Sequence, residues 1–68
     1  MDLLSLSIEY RATSDACLLR VNELQARLET ERMTVKQRDD MRRRIGMLTK
    51  MSRNTRSIAR RLREYCNE

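Results

Sequence analysis

Residues 31–40 read Glu31-Arg32-Met33-Thr34-Val35-Lys36-Gln37-Arg38-Asp39-Asp40, and four of them decide the fold. Thr34-Val35-Lys36-Gln37 has the spacing of a capping box. The Thr hydroxyl at the N-cap accepts the amide three positions on, and the Gln side chain reaches back to the Thr amide. Asp39 and Asp40 follow in the early turns, where the positive end of the helix dipole favours carboxylates. A new helix therefore starts at 35, although neither proline nor glycine interrupts the chain there. Leu, Met, Arg, Glu, Gln and Ala, all good helix formers, fill both sides. The expectation is one all-α domain spanning 1–68, with helix 1 at about 3–31, a turn at about 32–34 and helix 2 at about 35–66. The competing arrangement is a single uninterrupted helix in a long coiled coil, since residues 30–34 hold no strong breaker.

Periodicity favours the hairpin. A seven-residue register puts Leu3, Ser7, Tyr10, Ser14, Cys17, Val21, Leu24 and Leu28 on one seam of helix 1. The matching seam of helix 2 is Met41, Ile45, Leu48, Ser52, Thr55, Ala59, Leu62 and Cys66. Folding back at Thr34/Val35 pairs Leu28 with Met41, Leu24 with Ile45, Val21 with Leu48, and Cys17 with Ser52. Further out, Ser14 meets Thr55, Tyr10 meets Ala59, Ser7 meets Leu62 and Leu3 meets Cys66. Each layer joins an a to a d position, as an antiparallel coiled coil requires.

Composition narrows the function classes. A chain of 68 residues buries only about 60% of its unfolded surface, so it needs a staple or self-association. Histidine is absent, and Cys17 and Cys66 stand far apart. No zinc spacing exists, and no cofactor is expected. The two thiols suit a reduced cytoplasmic setting. The apolar run of MDLLSLSIEYRATS is broken by Ser5, Ser7 and Glu9, which does not fit a signal peptide, and no stretch approaches the ~20 apolar residues of a membrane span. Without histidine, a glycine-rich phosphate loop or a nucleophile elbow, catalysis is not expected and no catalytic residue is assigned.

Apolar side chains remain outside the seam. Leu6, Ile8, Leu18, Leu19, Met47, Met51, Ile58 and Tyr65 make an expected interface for a homodimer, giving a four-helix bundle, or for another protein. Gly46 reads either as room for a neighbouring helix or as a tolerated surface glycine.

Charge is unevenly divided. Residues 1–34 carry four basic and six acidic side chains, whereas 35–68 carry eleven and four. Helical i,i+4 pairs are available at Asp39–Arg43, Asp40–Arg44, Glu23–Arg27, Arg27–Glu31 and Arg60–Glu64. In the hairpin, Arg42, Thr49, Arg56 and Arg63 flank the seam opposite Gln25, Leu18, Arg11 and Leu4, none of them acidic. The helix 1 acids Glu9, Asp15, Glu23 and Glu29 are expected on its far side. Arg42, Arg53, Arg56, Arg60, Arg61 and Arg63 thus form a candidate polyanion-binding strip, because the guanidinium fork suits phosphate and carboxylate. The partner it implies is a nucleic-acid backbone, a nucleic-acid-bound protein or an acidic protein. An anionic membrane is the less favoured target. Aromatic residues that stack bases are missing from it.

The segments MDLLSLSIEYR (residues 1–11) and RRIGMLTKM (residues 43–51) resemble small helical proteins encoded in prophages and integrative elements of Gram-positive gut bacteria. That group continues into a tyrosine-rich basic tail, whereas this sequence ends at Tyr65-Cys66-Asn67-Glu68. The resemblance implies a cytoplasmic accessory protein that regulates transcription or inhibits host machinery such as a defence nuclease. It transfers no functional residue.

Overall fold

A carboxylate at Asp2 starts the first helix: its Oδ1 accepts the Ser5 amide at 2.6 Å. That hydrogen bond stabilises the charged form and holds the Asp2 carboxyl below its ordinary pKa. The computed structural model describes residues 2–66, which form α1 (Leu3–Thr30) and α2 (Val35–Cys66). Helix α1 stops where Glu31 turns extended and its amide bonds the Arg27 carbonyl at 2.9 Å. Helix α2 begins with reciprocal bonds, Thr34 amide to Gln37 Oε1 at 3.0 Å and Gln37 amide to Thr34 Oγ1 at 3.1 Å. Arg32 and Met33 bridge the two ends, and Met33 is half-buried there.

The two helices pack against each other as a hairpin 51 Å long and 16 × 14 Å in section. Every fully buried residue lies on the heptad seam: Ser7, Ser14, Cys17, Val21 and Leu24 on α1, and Ser52 and Ala59 on α2. Tyr10, Leu28, Met41, Ile45, Leu48 and Leu62 are half-buried along the same line. Leu3 departs from the expectation. It is 45% exposed, and its expected partner Cys66 is exposed too, because no further layer covers that end of the seam. Cys17 and Cys66 are both free thiols.

Three buried serines bring the helices together. Ser14 Oγ donates to the Ser52 carbonyl at 2.9 Å, Ser52 Oγ lies 3.2 Å from the Ser14 carbonyl, and the two hydroxyl oxygens are 3.0 Å apart. Two turns away, Ser7 Oγ donates to the Ala59 carbonyl at 3.0 Å. A serine side chain is short, so a hydroxyl that reaches the opposite backbone requires axes near the close end of the usual 8–10 Å range. These bonds also correct the pairing. Ser14 lies against Ser52 rather than Thr55, and Ser7 against Ala59 rather than Leu62, a shift of one helical turn along the same seam. Hydroxyl-to-carbonyl bonding selects that stagger among those that the seam allows. Thr55 instead bonds its own helix, at the Met51 and Ser52 carbonyls. Among the described residues no buried side-chain polar atom lacks a partner.

Such close approach leaves a small apolar core of Cys17, Val21, Leu24 and Ala59. Leu4, Ile8, Leu18, Leu19, Met47, Met51, Ile58 and Tyr65 all remain exposed. Gly46 has no heavy atom within 4 Å of the place a Cβ would occupy, so it does not serve packing between these two helices.

Two substitutions test this account by chemical denaturation followed by circular dichroism. Ser14→Val adds bulk where exposure is 0% and removes both hydroxyl bonds; it lowers stability by about 1–3 kcal/mol. Gly46→Ala fills open space on a helix and raises stability by about 1 kcal/mol; no gain would mean that the glycine is needed for something outside the hairpin.

Candidate polyanion-binding face

Helical geometry divides the exposed surface of the hairpin into two broad sides. At about 100° per residue, Arg53, Arg56, Arg60 and Arg63 recur at intervals of three and four and form one row flanking the seam. The row is about 15 Å long at 1.5 Å per residue. All four are exposed. Among the described residues, none of them takes part in an ion pair. The pairs that form are Arg11–Asp15 at 3.8 Å, Arg20–Glu23 at 3.0 Å, Arg27–Glu31 at 2.6 Å and Arg42–Asp39 at 3.9 Å. Of the five i,i+4 pairs available from spacing, only Arg27–Glu31 is made, and the Glu31 hydrogen bond and charge raise the Arg27 pKa. Asp39 bonds Arg42 in place of Arg43, Glu23 bonds Arg20 in place of Arg27, and Arg60 stands apart from Glu64. Each such pair is exposed and worth only tenths of a kcal/mol, so side-chain rotamers choose among neighbours freely.

Across from Arg56, Arg60 and Arg63 runs a groove whose α1 wall combines Leu4, Ile8 and Ala12 with Ser7, Arg11 and Asp15. Its apolar residues Leu4, Ile8 and Ala12 share the groove with Arg56, Arg60 and Arg63, and Arg11, paired with Asp15, lines it too. Leu4 lies in this groove with Arg63, the residue it was expected to face, and Ala12, not singled out from sequence, is part of the site as well. Their heptad positions beside the seam were the available signal. The arrangement offers guanidinium groups on the α2 edge and, on the α1 edge, hydrocarbon from Leu4, Ile8 and Ala12 beside the Arg11–Asp15 pair.

Several expected features are placed differently. Asp15 belongs to this groove rather than the far side of α1, because its position, four residues after Arg11, carries it round to the same flank. Glu29 likewise lines a groove with Gln25, Leu28, Arg38 and Arg42 near the turn. Arg42 therefore sits among acids and pairs with Asp39, about 16 Å along the helix from Arg53. It does not continue the row. Half-buried Arg38, not singled out from sequence, accompanies it. Arg61 is exposed but points about 100° away from Arg60, as adjacent helical residues do.

The eight apolar residues expected to make one interface also separate. Leu18 flanks the seam on the arginine side, with Ile8 and Leu19 further round. Leu6, Met51, Ile58 and Tyr65 flank the opposite side, with Met47 beyond them. The seam lies between the two sets, so no single partner surface touches all eight. On that second side a groove near the turn is lined by Leu24, Arg27, Met33, Asp40, Met41 and Arg44.

No protein-family model, curated protein or solved structure matches this chain. No helix among the described residues is long and apolar enough to cross a membrane, and no group of three His, Cys, Asp or Glu side chains is placed to hold a metal ion.

Proposed function

We propose that this chain is a non-enzymatic binding protein which uses the arginine row of α2 to contact the phosphate backbone of nucleic acid, or a complex already bound to it. The observation that carries this reading is the row itself: four exposed guanidinium groups in line on a rigid helix, with no ion-pair partner among the described residues. A row of about 15 Å spans roughly four phosphates of one strand at 3.4 Å rise. Contacts of this kind position a protein along a backbone and carry little sequence information. The working unit is a homodimer in which two thin hairpins cover each other's apolar surface as a four-helix bundle. The absence of histidine and the exposed setting of the carboxylates support a role without catalysis. The likeness of residues 1–11 and 43–51 to prophage-encoded proteins supports an accessory regulatory or inhibitory role in a mobile element.

A second reading has its own observation. The apolar residues Leu4, Ile8 and Ala12 beside Arg56, Arg60 and Arg63 fit an acidic amphipathic helix of a protein partner, laying its hydrophobic stripe on them and its carboxylates on the arginines.

Salt dependence separates the two. Binding to a short DNA or RNA duplex falls steeply with salt, and each Arg→Gln change at 53, 56, 60 or 63 lowers the log–log slope by about 0.9. The quadruple variant loses binding while its helicity by circular dichroism is unchanged. A gel shift that stays silent at low salt ends the nucleic-acid reading. A partner interaction that survives the four substitutions but is lost on Ile8→Glu favours the protein reading.

A further inference from the structure

Between Asp40 and Glu64 helix α2 carries nine basic side chains and no acid. Among the described residues only Arg42 of the nine takes part in an ion pair. At about 100° per residue, most of these cations fall on one half of the helix. Gly46, Lys50 and Ser57 lie on the line opposite the seam, directed away from α1. The row of Arg53, Arg56, Arg60 and Arg63 flanks that line on one side, and Arg43 and Arg61 flank it on the other. All of these residues are exposed. Gly46 leaves open space on the line, with no heavy atom within 4 Å of where a Cβ would stand.

We infer that α2 lies lengthwise in the major groove of a B-form DNA duplex, with Gly46, Lys50 and Ser57 toward the base edges. The row contacts the phosphates of one strand, and Arg43 and Arg61 those of the other. The inference rests on the nucleic-acid reading of the proposed function and adds the kind of duplex and the groove. An α-helix with its side chains is about 10–12 Å across, and the major groove is about 12 Å wide. The hairpin as a whole measures 16 × 14 Å in section, so one helix enters and α1 stays outside. Lys50 is placed to donate to guanine O6 or N7, and Ser57 pairs with either kind of base edge.

Charge selects this presentation over one in which the grooved side beside the row leads. In that case α1 would meet the duplex together with α2 and bring Asp15 and Glu29 toward the phosphates. With the outer half of α2 leading, α1 and its carboxylates lie behind the entering helix. Groove shape selects DNA, because the major groove of A-form RNA is too deep and narrow for side chains to read. A glycine on the line that goes deepest lets the helix backbone approach the base pairs closely. The hairpin itself makes no use of that glycine.

Fluorescence anisotropy of the full chain with DNA and RNA duplexes of about 20 base pairs and equal sequence, at matched low salt, tests the assignment. The DNA duplex is expected to bind at least about tenfold tighter than the RNA duplex. DNA whose cytosines carry glucosylated hydroxymethyl groups, which fill the major groove, loses binding, whereas netropsin seated in the minor groove does not compete. Arg43→Gln and Arg61→Gln each lower the log–log salt slope by about 0.9, as substitutions in the row do. Ser57→Trp, with helicity unchanged by circular dichroism, weakens DNA binding by about tenfold, because the indole stands between helix and bases. Equal affinity for the two duplexes overturns the inference, as does undiminished binding to glucosylated DNA, displacement by netropsin or full affinity of Ser57→Trp. An unchanged slope for Arg43→Gln and Arg61→Gln overturns the contact with the second strand. In each of those cases a steep salt slope that depends on the row leaves the phosphate reading intact. Silence toward both duplexes ends the inference and that reading together.

Discussion

The exchange of hydroxyl-to-carbonyl hydrogen bonds between Ser14 and Ser52 sets the distance between the two helices, and most other properties of the molecule descend from it. Both residues are essentially sealed from solvent. A buried hydroxyl left unpaired costs about 1–3 kcal/mol, and these two take their acceptor from the opposite backbone, whereas Thr55 uses its own helix. Small residues, Ser7, Ser14, Ser52 and Ala59, fill the buried outer layers, and the leucines of the seam other than Leu24 are only half-buried or exposed. The core is correspondingly lean, and the bulky apolar side chains are pushed to the two broad sides. A hairpin whose larger hydrophobic groups face outward is built for contact with something else.

The architecture was legible in the sequence where side chains act locally. Thr34 and Gln37 bond each other's amides whatever the rest of the chain does, so their spacing announces the start of α2. The seam was legible because spacings of three and four select one edge of any α-helix. Its stagger was not. Heptad positions say which residues line the seam, but sliding one helix by a turn keeps the same lining, and the serine hydroxyls settle the choice through bonds that no spacing rule encodes. The Asp2 cap escaped notice for a related reason. Asp2-Leu3-Leu4-Ser5 has no Glu or Gln to complete a box, so only half of the signature is present.

The candidate site was legible in part. That α2 would carry excess positive charge follows from counting, but counting does not separate sides of a helix. Arg42 shares a flank with Arg53 yet lies beside Asp39 and Glu29, and Arg61 adjoins Arg60 yet points elsewhere. Asp15 illustrates the same limit from the acidic side, since a single turn brings it into the groove beside Arg11. Angular position, more than composition, decides which charges act together.

The connection at residues 31–34 has a bearing on how the chain assembles itself. Ser14 and Ser52 are 38 residues apart along the chain and Ser7 and Ala59 are 52, so the cost of closing a loop rises steadily toward the free ends. Closure is cheapest beside the turn, where Leu24 is also the most deeply enclosed large side chain. The hairpin therefore zips from the bend outward and opens in the reverse order. Amide protons near Leu24 are then expected to exchange more slowly than those around Ser7 and Leu62, so that the arginine-bearing end is the first to open.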